Sequence, residues 1–343
     1  MRGRITILLA TMLAVGGDAF ADEPNSTFFG LGEKVKNESL AMPTLGGRVF
    51  WGDVLHFRGY RIQENVLSKH FRLLDAADRR FASGTYDECV AKLEEIKQQS
   101  HLEPMSGKVV ILVHGMGRSS KSWPKLSKRL EEAGYQVIAF DYPSTRCAIS
   151  DSAEYLAKVI RGLEGVDEIN FVCHSMGGLV IRAYLANHSD DRIARMVMLA
   201  VPNLGAEMAD IVVKWPLYQW VCGPGGCELV TDGQGLIASL PTPEFEFAVI
   251  AAGKGNEAGY NPLISGDDDG TVTVASTRLP GATDFLQVNG LLHSFLMFDN
   301  RVIDATVRFL DEGRLRKDEE PEPIVEEEAE TNFSDHEAAT VTR

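Results

Sequence analysis

Between Val109 and Leu310 the chain repeats one pattern, a short apolar run of strand length followed by a longer stretch with apolar residues at helical spacing. The strand-like runs are Val109 to Val113, Val137 to Phe140, Phe171 to Cys173, Met196 to Ala200, Phe247 to Ala252 and Phe285 to Val288. Helix-like stretches lie near Lys125 to Ala133, Ala153 to Leu163, Gly177 to Asn187 and Val302 to Leu310. Such alternation predicts an α/β fold, a mostly parallel central sheet flanked by helices on both faces. In sheets of this kind ligands bind beyond the carboxyl ends of the strands.

Other segments fall outside that alternation. Runs near Tyr60 to Gln63 and His70 to Leu74 predict an antiparallel hairpin. A helix from Tyr86 to about Gln98 follows, opened by the capping-box pair Thr85 and Glu88, with Tyr86, Cys89, Val90, Leu93 and Ile96 on its apolar face. Asp151 with Glu154 predicts a similar cap for the helix near Ala153. The stretch from Gly205 to Leu240 is too long for a turn and concentrates Trp215, Tyr218 and Trp220. It reads as a cap or lid whose aromatic side chains wall an apolar substrate pocket. A packed helical insertion away from the substrate is the alternative.

The ends of the chain have their own signatures. Arg2 and Arg4, the apolar stretch Ile5 to Val15 and Ala19-Phe20-Ala21 follow the order of a secretory signal peptide, so residues 1–21 are expected to be removed and the protein exported, periplasmic or secreted. Residues 22–106 form an N-terminal extension, 107–313 the core with the 205–240 insertion, and 314–343 an acidic tail expected to be disordered. The net charge of −15 argues against nucleic acid as a partner. The expected partner is a small-molecule or lipid ester, with transient contact to a lipid surface. Of five cysteines, Cys222 and Cys227 bracket Gly-Pro-Gly-Gly and are expected to close a small disulfide loop, Cys89 is expected in the core, and Cys147 has no role. No His/Cys cluster has metal-ligand spacing and no glycine loop has the form that cradles phosphate, so neither metal nor cofactor is expected.

Four stretches carry chemistry. In "FVCHSMGGLV" Ser175 stands at the junction of a strand and a helix, followed by Gly177 and Gly178, the form of a nucleophile elbow, with Cys173 where the first glycine is usual. A serine hydroxyl needs a base, and the base needs an orienting group. His293 in "LLHSFLMF" is the base, since His188 ends the elbow helix and His336 lies in the tail. Asp267, Asp268 and Asp269 compete as the acid; Asp269 is favoured because Gly270 allows a sharp turn that aims its carboxylate, and Asp268 comes next. Neighbouring carboxylates are then expected to face water or a cation. "LVHGMGRSS" leaves its strand with two glycines, and the backbone amides of Met116 and Met176 are the expected oxyanion donors.

The motifs "HGMG", "HSMGG", "DGTV" and the histidine of "LHSFLMF", in that order from Val109 to about Leu310, resemble the α/β-hydrolase superfamily, particularly secreted lipases and esterases. "DDDGTVTVASTRLPG" is also similar to the corresponding region of lecithin:cholesterol acyltransferase-type enzymes. The resemblance implies an eight-stranded sheet with a cap and a triad of Ser175, His293 and Asp269. The expected function is an exported serine esterase or lipase cleaving carboxylic esters of apolar acyl chains through an acyl-enzyme. The alternatives are a phospholipase or acyltransferase with the same triad, and a non-catalytic binding protein on a hydrolase scaffold.

Overall fold

The computed structural model describes residues 48–325. The expected leader, the first part of the extension and residues 326–343 of the expected tail lie outside them. Ten strands are described: β1 (Trp51–Phe57), β2 (Tyr60–Asn65), β3 (Phe71–Leu74), β4 (Arg80–Gly84), β5 (Gly107–Val113), β6 (Gln136–Phe140), β7 (Val166–His174), β8 (Ile193–Leu199), β9 (Glu246–Gly253) and β10 (Asp284–Asn289). The α-helices are α1 (Tyr86–Gln99), α2 (Pro124–Glu132), α3 (Ile149–Arg161), α4 (Met176–Asn187), α5 (Glu207–Val212), α6 (Pro216–Cys227), α7 (Leu236–Ser239), α8 (Val274–Thr277) and α9 (Asn300–Glu312).

β5 to β10 form one six-stranded sheet in the order β10-β9-β8-β7-β5-β6, with every pair parallel. Because side chains alternate across a strand, each strand feeds two cores. Val109, Ile111, Val113, Phe171, Cys173 and Val249 meet the side covered by α3 and α4. Val110, Leu112, Val172, Val197 and Ile250 meet Leu126 and Leu130 of α2 and Ile303 and Phe309 of α9 on the other. The strands are buried on both faces, which is why they read as continuous apolar runs.

Among the described residues the sheet has six strands, not the eight that the resemblance implies. β1 to β4 do not join it; they pair antiparallel with one another as a separate meander. β1 and β2 are joined by the two-residue turn Arg58-Gly59, too short for anything but a hairpin, so β2 is committed to β1. The meander packs on α3: Val54, Ile62 and Leu73 share one core with Leu156. A Cβ on Gly52 would lie 2.6 Å from the Tyr155 ring. α1 carries the expected capping box, with the Thr85 side chain accepting from the Glu88 amide and Glu88 from Thr85, and it buries Cys89, Leu93 and Ile96.

Two end features differ from expectation. α3 begins at Ile149, and Asp151 lies inside its first turn. The open Ile149 amide is capped instead by Glu228 Oε2 at 2.7 Å, a carboxylate at the end of α6. Glu154 pairs with His188 Nε2, also at 2.7 Å. Residues 314–325, assigned to the tail from their charge, are pinned to the core. Leu315 and Ile324 are buried. The buried Asp284 carboxylate accepts from the Leu315 amide at 2.7 Å and the Glu322 amide at 3.0 Å, and Ile324 exchanges backbone hydrogen bonds with Gly281 and Ala282. A carboxylate with no water must find donors, and the returning chain supplies them.

The segment between β8 and β9 folds as α5, α6 and α7, and one buried side chain of the elbow helix holds both its ends. Arg182 donates through Nη1 to Asn203 O at 3.1 Å, through Nη2 to Leu240 O at 2.7 Å and through Nε to Pro241 O at 3.0 Å. Burial pulls its pKa down to about 10, which leaves it charged at neutral pH. Replacing it strands three buried carbonyls. Arg182→Leu is expected to lower stability by about 2–4 kcal/mol, read as a fall in the urea midpoint at unchanged slope; an unshifted midpoint would refute the clamp.

His114 after β5 and His174 at the end of β7 are both buried, and burial holds each imidazole below its ordinary value of 6.5, His174 well below. The unfolded chain takes up these protons as pH falls through that value, and the folded protein does not. Stability should therefore decline below pH 6.5, by about 1.4 kcal/mol per pH unit for each imidazole until its folded-state pKa is reached. Urea midpoints from pH 7.5 to 5 for wild type and His174→Gln test this. The variant should show the shallower decline, and parallel curves would contradict it.

Candidate active site

The common strand direction puts the ends of β5, β7, β9 and β10 at one edge, and the candidate residues follow those ends. Ser175 lies between His174 of β7 and Met176 of α4 with φ 54° and ψ −132°, a strained conformation for a side-chain-bearing residue. Its amide donates to Leu199 O at 2.9 Å, and its carbonyl accepts from the Gly178 amide at 3.0 Å. The two glycines are required by close approach. A Cβ on Gly177 would lie 2.4 Å from Val113 O, and one on Gly178 2.4 Å from Val201 Cγ2. Cys173 fits because its side chain turns away from this crossing. It is fully buried with Sγ–H directed at Val197 O, 3.6 Å away, and burial pushes the thiol pKa up.

Asp269 and His293 are in direct contact. Asp269 Oδ2 accepts from His293 Nδ1 at 2.7 Å, and both side chains are buried. Asp269 is held in turn: Oδ1 accepts from the Thr271 amide at 3.0 Å and the Val272 amide at 2.8 Å, and its carbonyl accepts from the His293 amide at 2.9 Å. Gly270, with φ 96°, makes the turn that Gly was expected to allow. The carboxylate accepts, so Nδ1 carries the proton and Nε2 keeps its lone pair.

His174 ties this pair to the elbow. Its Nε2 donates to His293 O at 3.0 Å, and the two rings lie 4.6 Å apart centre to centre. Among the described residues no hydrogen bond joins the Ser175 hydroxyl to His293. Such contacts commonly tighten only when substrate binds.

The loop after β5 lies against Ser175: a Cβ on Gly115 would be 3.0 Å from Ser175 Cβ. Neither the Met116 nor the Met176 amide donates to a protein acceptor among the described residues. The Met176 amide opens α4, where helix geometry leaves the first amides unpaired and the helix dipole favours negative charge.

Of the other acidic neighbours, Asp267 is half-exposed, as expected, whereas Asp268 is shut away from water. Asp267 accepts from the Lys254 and Gly255 amides and from Gln287 Nε2, and Asp268, fully buried, accepts from the Asn261 and Gly270 amides. Burial raises the Asp268 pKa. Among the described residues no group of three or more His, Cys, Asp or Glu side chains is arranged to hold a metal.

The insertion covers one flank of the site. Tyr218, Met208, Val212, Cys222 and Ile264 form a small apolar cluster, with Met116 and Trp215 at its margin. The Tyr218 hydroxyl donates to Gly226 O at 2.9 Å, so its ring is what remains to face an apolar group. Trp220 does not join this wall; it is 64% exposed. Two helical positions after Tyr218 it has turned through roughly 200°. Cys222 and Cys227 are both thiols. The Gly-Pro-Gly-Gly between them winds into α6 instead of forming a free loop, which sends Cys222 into the apolar cluster and leaves Cys227 half-exposed at the helix end. Gly223 and Gly225 press α6 onto the chain after β6, the first within 2.0 Å of Thr145 O for an added Cβ, the second donating to Cys147 O at 3.1 Å.

Sequence reasoning missed the supporting residues. His174 was visible only as a motif letter beside Ser175. Arg118 Nη2 donates to Ser294 O at 3.3 Å, joining the loop after β5 to the His293 loop. Ser144 Oγ accepts from the Gly117 amide at 3.1 Å.

Comparison with known proteins agrees with this geometry. Residues 108–220 match the family profile described as alpha/beta hydrolase fold. The lysosomal thioesterase PPT2-B of Xenopus laevis is 30% identical over 112 residues, 29% of this chain, and the chain spans only 38% of that relative's length. The Bacillus licheniformis lipase BlEst2 in its propeptide form has a TM-score of 0.49 at 20% identity, covering 65% of this chain and 53% of that one. Phospholipase PlaB from Legionella pneumophila has a TM-score of 0.48 at 16% identity, covering 67% and 63%. With the six parallel strands and the strained serine elbow between β7 and α4, that profile match identifies the core of this chain as an α/β-hydrolase fold.

Proposed function

We propose that this chain is an exported serine hydrolase that cleaves carboxylic esters with apolar acyl chains. The observation that carries the reading is the buried Asp269–His293 pair, 2.7 Å between Oδ2 and Nδ1, hydrogen-bonded to the residue that precedes a strained serine. As substrate enters, His293 Nε2 takes the Ser175 hydroxyl proton while Oγ attacks the ester carbonyl carbon. The resulting oxyanion is held by the Met116 and Met176 amides. Collapse breaks the bond to the alcohol oxygen, which receives the proton from His293. Water, deprotonated by the same imidazole, then releases the acid and restores the hydroxyl. Asp269 stays ionised and stabilises the imidazolium formed in each half. The cluster around Tyr218, with the Met116 side chain, supports the preference for an apolar acyl group.

A second reading is favoured by one finding, the 30% identity with a thioesterase over 112 residues. The same serine attacks an acyl thioester by the same steps with a thiol as leaving group. Parallel assays of p-nitrophenyl esters and acyl thioesters of matched chain length separate the two.

Ser175→Ala should lower turnover by roughly 10⁴-fold or more, and Asp269→Asn by on the order of 10³–10⁴-fold, with a fluorophosphonate probe labelling wild type at Ser175 and sparing Ser175→Ala. Turnover unchanged in Ser175→Ala sinks the assignment. Export is supported by the leader-like sequence alone; N-terminal sequencing of the mature protein is expected to begin at Asp22, and an intact Met1 in secreted or periplasmic fractions would exclude cleavage.

A further inference from the structure

The meander β1 to β4 lies outside residues 108–220, which match the hydrolase profile, and it supplies none of the proposed reacting groups. It nevertheless makes buried, directional contact with the edge of the sheet that bears them. Asp53, in β1, is fully buried. Its amide donates to Asp141 O at 2.8 Å, and its Oδ2 accepts from the Asp141 amide at 2.7 Å and from His56 Nε2 at 2.8 Å. Its Oδ1 accepts from Gln63 Nε2 at 2.8 Å. Burial alone would raise the Asp53 pKa, but His56, Arg61 and the Asp141 amide outweigh it and hold the carboxyl below its ordinary value. Asp53 is therefore a charged acceptor fixed from three sides.

Asp141 immediately follows β6 and passes the constraint on. Its Oδ1 accepts from the Ser120 amide at 2.6 Å and its Oδ2 from Ser120 Oγ at 2.8 Å. Ser120 ends the loop that leaves β5 and carries Met116. Tyr142, the next residue, donates its hydroxyl to His114 O at 2.6 Å and stacks on the His114 ring at 4.4 Å, gripping the other end of that loop. A second connection runs in parallel: Arg61 of β2 pairs with Asp78, and Asp78 Oδ2 meets Lys121 Nζ at 2.9 Å.

We infer that Asp53 is a positioning residue: through Asp141 and Ser120 the N-terminal meander fixes the loop from His114 to Ser120 and so sets the Met116 amide for the oxyanion. This rests on the serine-hydrolase reading above. A backbone donor contributes to catalysis only when it is aimed in advance at the place where charge develops, and short loops rich in glycine do not aim themselves. Two glycines stand in this loop, Gly115 and Gly117. Charge-assisted bonds at the Ser120 end, and the Tyr142 hydroxyl and ring at the His114 end, supply the rigidity that its sequence withholds.

The test uses the full chain with Asp53→Asn and Ser120→Ala. Active sites are counted by fluorophosphonate labelling carried to completion, so that misfolded molecules do not enter the rate. Both variants should lose kcat per labelled serine, by roughly 10–100-fold for Asp53→Asn and less for Ser120→Ala, with KM within about twofold. Affinity for a trifluoromethyl ketone, which forms a tetrahedral adduct with an oxyanion, should fall by the same factor as kcat. Glu64→Gln is the control: Glu64 binds Lys158 of α3 at 3.0 Å and Lys69 at 3.1 Å, holding the meander to the core away from the loop. It should melt earlier with unchanged kcat per labelled serine. Wild-type kcat and ketone affinity in Ser120→Ala and in any folded Asp53→Asn would overturn the inference, even if melting fell. Wild-type turnover in Ser175→Ala, or no fluorophosphonate adduct in wild type, would instead overturn the underlying reading.

Discussion

Everything in this molecule depends on six strands running the same way. A parallel sheet has one edge where every strand delivers its carboxyl end, and the loops that leave β5, β6, β7, β9 and β10 must all start there. Ser175, the Asp269 turn and His293 are far apart along the chain and still share that edge without any long-range device to find one another. The cost of parallel pairing is burial on both faces, which fixes the apolar character of the strands and leaves their loops as the place for polar chemistry.

Those loops have few ladder hydrogen bonds, and carboxylates, most of them buried, hold them instead. Asp141 takes the Ser120 amide, Asp267 the Lys254 and Gly255 amides, Asp268 those of Asn261 and Gly270, and Asp269 those of Thr271 and Val272. At the amino end of β10 Asp284 holds the chain after α9 in the same way, through the Leu315 and Glu322 amides. An ionised acceptor bonded to a backbone amide is stronger than a neutral pair and leaves no buried donor unmet. A good part of the acidic excess is therefore structural. Asp269 differs from its neighbours only in where its second oxygen points, toward an imidazole.

What the sequence displayed and what it concealed divide along the same physical line. The β-α alternation was legible because burial on two faces writes continuous apolar runs, and the elbow because a helix crossing a strand at Val113 O excludes every side chain larger than hydrogen at Gly177. Asp269 was legible through Gly270. The meander was read only as a hairpin because β4 is short and half-exposed and β1, although mostly buried, sets Gly52, Asp53 and His56 among its apolar residues, so that neither writes a strong period. Residues 314–325 looked like tail because composition records charge and not the Asp284 carboxylate waiting for amides. Trp220 was grouped with Tyr218 by aromatic character, although helical geometry turns the two apart. Glu228 capping α3 joins residues 79 positions apart, beyond any local pattern.

One short segment, residues 141–149, shows how these pieces depend on one another. Asp141 joins it to the meander, Tyr142 and Ser144 to the loop that carries Met116, and Thr145, Cys147 and Ile149 to the insertion through Gly223, Gly225 and Glu228. The loop beside Ser175 is thus braced from the chain after β6 rather than from its own strand. That arrangement separates two requirements that otherwise conflict. The elbow at Ser175 is strained and must be held by dense packing around β7 and α4, whereas the loop beside it carries glycines and must come close without side chains in the way. Glycine gives the approach and removes the stiffness, so the stiffness has to come from a third body, and among the described residues the chain after β6 is the one neighbouring strand end on that side of β5.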